Sequence, residues 1–168
     1  IPREMKAVAA QLGGKVMRDC RLEQFFAAVP ELRARSGDRA VLRAFHFLKE
    51  HERAGKLAAA LKENDLSGFL RLIAASGNSS FKWLQNIYSP HAVEEQGVTL
   101  ALALTEEFLS REHGGASRVH GGGFAGTIQV FLPEERIDKY RAVIEPVFGP
   151  DSVNVLSIRQ TGTAAVNF

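Results

Sequence analysis

Ser117-Arg118-Val119-His120-Gly121-Gly122-Gly123-Phe124-Ala125-Gly126-Thr127-Ile128-Gln129-Val130-Phe131-Leu132 is where the pattern of the chain changes. Before it, apolar residues recur at helical spacing; within it they alternate, with Ile128, Val130 and Leu132 on one face. Ser117–His120 therefore reads as a short strand, the glycines as a turn, and Thr127–Leu132 as a second strand. A run of helices followed by adjacent strands predicts an α+β domain in which helices pack on a small antiparallel sheet.

Working outward, Pro2 suits the first position of a helix, because its missing N–H has no partner there anyway. Met5, Val8, Ala9 and Leu12 continue that helix and Gly13-Gly14 ends it. A second helix is expected over Leu22–Val29, stopped by Pro30. Asp38 is placed to cap a long helix with Val41, Phe45 and Leu48 on one face, reaching about Lys62. Asp65 should cap the next, with Phe69, Leu70, Leu72 and Ile73 inward, Gly77 closing it, and a short turn through Ser79 and Ser80 following. A further helix is expected from about Ala92 to Glu112, carrying a core stripe of Leu100, Leu104 and Phe108. After the hairpin, Pro133 opens a helix bearing Ile137, Tyr140, Ile144 and Val147, with Pro146 cutting its last turn. Val153–Ile158, apolar on both faces, reads as an interior strand, and Thr161–Phe168 as a frayed tail.

The 168 residues are 45% hydrophobic, enough for one domain with a core. A net charge of +2, from 21 basic and 19 acidic residues spread along the chain, gives no basis for binding nucleic acid. No apolar run approaches the length of a membrane helix, so no membrane partner is expected. A single cysteine, Cys20, forbids an internal disulfide and fits a reduced, cytoplasmic setting as an idle thiol. Ile1-Pro2-Arg3-Glu4 has neither an initiator Met nor a signal segment, and reads as an internal start. His46, His51, His91 and His113 have no metal-ligand spacing, and no metal site is expected in the chain.

Five of the ten residues from Gly114 to Gly123 are glycine, and Gly126 follows. Backbone N–H groups converging in such a loop form a nest for phosphate oxygens. A plain hairpin turn explains the same glycines. Gly121-x-Gly123-x-x-Gly126 has the dinucleotide spacing, but a strand follows it where that motif needs a helix.

Arg118-Val119-His120-Gly121-Gly122-Gly123-Phe124-Ala125-Gly126 resembles the C-terminal glycine motif of galactokinases, R-M-T-G-G-G-F-G-G. Arg43-Ala44-Phe45-His46-Phe47-Leu48-Lys49-Glu50-His51-Glu52-Arg53 is similar to that family's R-A-x-H-x-x-x-E-x-x-R stretch. Ala27–Arg33 and Gly37–Ala40 resemble the segments before it, in the same order. The sequence departs at His120 (usually Thr) and Ala125 (usually Gly). It departs again at Tyr88-Ser89-Pro90-His91-Ala92-Val93, where the family's S-C-P-E-x-D carries two carboxylates.

The resemblance implies a C-terminal domain of the GHMP small-molecule kinases, spanning residues 1–168, with a ferredoxin-like-type sheet. It implies ATP and Mg²⁺ as cofactors and a sugar, galactose, as the other partner, all met through an N-terminal domain. The catalytic residues are expected in that domain, with none in this chain. Arg118, His120, Gly121, Gly122, Gly123, Phe124, Ala125 and Gly126 would line the phosphate and sugar cleft. Two other readings stand beside it: a non-catalytic relative that senses a sugar or nucleotide, and a stand-alone α+β regulatory module.

Overall fold

A computed structural model describes residues 1–124 and 126–157. Ala125 and the tail from Ile158 onward lie outside the described residues. The order is α1 (Pro2–Gln11), a 3₁₀ turn (Met17–Asp19), α2 (Leu22–Ser36), α3 (Asp38–Lys62), α4 (Leu66–Ser79) and a π-helical turn (Ser80–Leu84). There follow α5 (Gly97–Arg111), β1 (Ala116–His120), β2 (Thr127–Phe131), a 3₁₀ turn (Glu134–Arg136) and α6 (Ile137–Phe148). The strands pair antiparallel, Ala116 opposite Phe131 and His120 opposite Thr127. This is the α+β arrangement expected from the change of period.

Apolar burial falls into three clusters. Val8, Ala9, Met17, Phe25, Leu32, Ala44 and Leu48 join α1, α2 and α3 at one end. Ile87, Val98, Leu102 and Val119 join α5 to β1, and Phe108, Leu109, Tyr140 and Ile144 join α5 to α6. The helix α4 bridges the two ends, packing on α3 and on β1.

Several boundaries differ from the sequence expectation. Pro30 does not stop α2, which runs on to Ser36 and ends where Gly37 takes φ 80°. Phe25 and Leu32, on either side of the proline, are both buried, and that packing carries the helix through. Phe26 and Pro30 are exposed, so the one backbone bond a proline forfeits is lost where solvent can replace it. Asp65 caps α4 as expected, its carboxylate accepting the Gly68 N–H at 2.8 Å. Gly77 does not close that helix. A Cβ at Gly77 would lie 3.0 Å from the Ser117 carbonyl oxygen, so the glycine serves the approach of α4 to β1. Ser79 and Ser80 are helical and buried, and the chain leaves the π-turn at Gln85, φ 56°.

The helix α5 starts at Gly97, five residues later than the pattern suggests, because the turns through residues 90–95 are exposed and have no face to bury. Its core face is Val98, Leu102, Thr105, Phe108 and Leu109. At about 100° per residue Leu100 is turned to the far side of Val98, and it is 46% exposed. The expected stripe thus keeps Phe108 and a half-buried Leu104 but loses Leu100. Pro146 lies inside α6, two residues before its end, and Val147 is exposed. Val153–Ser157 forms no ladder: Val153 touches the α5–α6 cluster, while Val155 and Leu156 are exposed. Apolar side chains on two faces do not make a strand without a neighbouring edge to pair with.

Candidate functional site

The β1–β2 register leaves Gly121 to Gly126 as the connecting loop. Gly121 (φ 65°), Gly123 (φ 77°) and Phe124 (φ 64°) are left-handed, so turn geometry accounts for two of the glycines. Gly123 has a second reason, since a Cβ there would overlap the carbonyl oxygen of Asn86. Gly122 has neither. Its φ is outside the left-handed region, and a Cβ on it meets no atom within 4 Å. The fold alone does not ask for glycine at 122; an approaching ligand or partner backbone would.

Asn86 fixes the inner side of the loop. It is 1% exposed, its backbone carbonyl accepts the Phe124 N–H, and its Nδ2 donates to the Gly122 carbonyl at 3.2 Å. The residue reaches this position because the π-turn delivers it: Arg43 Nε on α3 donates to the Leu84 carbonyl at 3.2 Å, just before Gln85 reverses the chain. Arg43 is itself held by an ion pair with Glu4 of α1. Sequence patterning did not single out Asn86, whose side-chain partner Gly122 stands 36 residues away.

The R-A-x-H-x-x-x-E-x-x-R stretch becomes a polar seam along α3. His46 Nδ1 is 2.9 Å from Ser79 Oγ, and Ser76 Oγ donates to Glu50 Oε2 at 2.6 Å, both partners on α4. Glu50 also pairs with Arg53. Burial, with smaller contributions from the positive charges of Arg53 and Arg118, holds the His46 pKa down at about 4 against an opposing hydrogen bond to Ser79. Burial and then the Arg118 charge lower the pKa of Arg53, and burial lowers that of Arg118.

The expected site residues therefore separate. Gly121, Gly122 and Gly126 are exposed, and Gly123 and Phe124 are half-buried against Asn86. His120 is exposed at the end of β1. Arg118 is half-buried, donates from Nε to the Val119 carbonyl at 3.1 Å, and stands in the field of Arg53. Ala125 lies outside the described residues. The loop does not border either of two shallow hollows. One, of about 530 Å³, lies between α3 and α4 beside Lys56, Glu63 and Arg71. The other, of about 590 Å³, lies beside Leu66, Leu70 and Gly115.

Among the described residues no group of three or more His, Cys, Asp or Glu could hold a metal ion. No described helix is long and apolar enough to cross a membrane. Cys20 is buried, and burial followed by the Asp19 charge pushes its thiol up, away from the reactive thiolate. Tyr88-Ser89-Pro90-His91-Ala92-Val93 forms a turn, with Ser89 Oγ accepting the His91 N–H at 3.2 Å and residues 90–93 exposed.

Comparison with known proteins bears on the same segments. The chain is 28% identical to a galactokinase of Actinobacillus pleuropneumoniae over 142 residues, 84% of this chain and 34% of that protein. It is 29% identical to a Haemophilus influenzae galactokinase and 30% identical to one from Actinobacillus succinogenes, with the same coverage. The chain is similar to these galactokinases over 84% of its length. It spans about a third of the length of these curated relatives. No family model matches the chain.

Gly121, Gly122 and Gly126 give the loop an exposed side, and Gly123 and Phe124 rest on Asn86. Gly121 to Gly126 carry no acidic or basic side chain, and His120 stands at the edge of the loop.

Proposed function

We propose that this chain is the C-terminal domain, residues 1–168, of an ATP-dependent sugar kinase of galactokinase type. The reaction is transfer of the ATP γ-phosphoryl group to the anomeric hydroxyl of galactose, in a cytoplasmic protein. The observation that carries this reading is the similarity to galactokinases over 84% of the chain; Gly122, in open space on the exposed side of a loop that resembles a kinase cleft motif, is where a ligand would reach the backbone. The galactokinase relatives and the order of the matching segments support it.

Phosphoryl transfer depends mainly on positioning and charge stabilisation, with little covalent chemistry for the protein to supply. In this reading Gly121, Gly122 and Gly123 offer backbone to the phosphates or the sugar, and His120 stands at the rim. Mg²⁺ would neutralise phosphate charge, and in this reading its ligands and the catalytic base are supplied by the N-terminal domain. Isolated, this chain is expected to be inactive.

A second reading keeps the fold and drops the turnover: a relative that binds sugar or nucleotide as a sensor. The turn at Tyr88–Val93 favours it, since His91, Ala92 and Val93 stand where the resembling family carries two carboxylates. Incubating the intact protein with ATP, Mg²⁺ and galactose and following ³¹P resonances separates the two. Appearance of a sugar 1-phosphate with ADP is the expected result. Saturable galactose binding with no phosphate transfer establishes the sensor, and binding of neither ligand removes both.

A further inference from the structure

We propose that Asn86 is a positioning residue for the glycine loop, holding Gly122–Phe124 from behind so that Gly121 and Gly122 face outward. The proposal rests on the kinase reading only for the identity of the ligand.

Three contacts converge on this one residue. The Asn86 carbonyl accepts from Phe124, its amide nitrogen donates to the Gly122 carbonyl, and Gly123 lies so close to it that no side chain fits between. The Gly122 carbonyl, as acceptor, fixes which end of the amide is nitrogen. Turning that carbonyl inward sends the other side of its peptide plane toward the exposed face, where a Cβ at Gly121 or Gly122 meets nothing. The platform is itself anchored, because Arg43 holds the preceding Leu84 carbonyl and is in turn paired with Glu4. A line of contacts therefore runs from α1 through α3 and the π-turn to the loop. Asn86 Oδ1 is buried and has no partner among the described residues, so what the side chain contributes here is its donor.

Asn86→Asp in the intact protein tests this, since it keeps the shape, removes the N–H donors and sets an acceptor against the Gly122 carbonyl. Hydrogen exchange read on a peptide spanning residues 118–131 should accelerate about tenfold at the Phe124 amide, which Asn86 holds, while α1–α3 stay protected. Where the protein turns over, KM for the phosphate donor should rise by a similar factor in Asn86→Ala, with a thermal midpoint lowered by only the few degrees that one lost hydrogen bond costs. If the aspartate unfolds the protein, Asn86→Ala removes the donor without adding charge and gives the same reading. Unchanged loop exchange contradicts the proposal. So does a loosened loop with unchanged KM, or a uniform loss of protection in both variants, which makes Asn86 a core residue and nothing more. The exchange measurement needs no turnover, so an inactive wild type overturns the kinase reading without touching this one.

Discussion

His46 on α3 and Ser79 on α4 meet in a buried hydrogen bond of 2.9 Å, at the middle of a seam whose other members are Arg43, Glu50, Ser76 and Arg53. A seam of this kind fixes how two helices lie against each other, because sliding them breaks the His46–Ser79 and Ser76–Glu50 hydrogen bonds together. It also makes the pairing of α3 with α4 sensitive to acid.

In the folded chain burial lowers the His46 pKa to about 4, from an ordinary value of 6.5. A histidine lowered on folding binds its proton more readily in the unfolded state, so its contribution is intact above pH 6.5 and is lost as pH falls toward 4. Arg53 and Arg118 face the same ring and add to the cost of charging it. Unfolding free energy measured between pH 6.5 and 4.5 should fall with pH, and His46→Gln should flatten that slope. Equal slopes in the two proteins would show that His46 is not the titrating group.

Gly77 should tolerate no larger residue. Gly77→Val places its side chain against the Ser117 carbonyl and the Arg118 backbone, forcing α4 off β1 at a cost of about 1–3 kcal/mol. Denaturant titration checks the figure. A neutral result would mean that the helix and strand are free to separate, and that Gly77 ends the helix, as local pattern alone suggests.

Thr105 Oγ1 and Tyr140 OH are 2.7 Å apart between α5 and α6, both buried. Thr105→Val or Tyr140→Phe alone leaves the other hydroxyl without its partner, costing about 1–3 kcal/mol. The double variant should be less destabilised than the sum of the two, by about 1 kcal/mol. Strict additivity in the cycle would show that the hydroxyls do not interact.

What the sequence made legible was what is local. Pro2, Asp65 and the alternating Ile128, Val130 and Leu132 each act within a few residues, and each gave the correct element. Pro30 and Gly77 misled because burial of Phe25 and Leu32, and the approach of β1, outweigh a local stop signal. Leu100 misled for a smaller reason: one face of α5 was chosen where a neighbouring one is buried. The glycine loop stood out by composition, but Asn86 could not, since its role exists only once the π-turn brings it beneath residues 122–124. The seam residues were visible as a resemblance, while their burial against Ser76 and Ser79 depends on how α3 and α4 pack.

The measurement closest to the central claim is Gly122→Val in the intact protein, with phosphate transfer to galactose and thermal stability read on the same sample. Open space and an ordinary φ at residue 122 predict stability within about 0.5 kcal/mol of wild type. If the proposed cleft lies on this side of the loop, an added side chain there should still cut transfer by a factor on the order of 100. Undiminished transfer, or losses of stability and activity in step, would contradict the account and leave the loop as a hairpin turn.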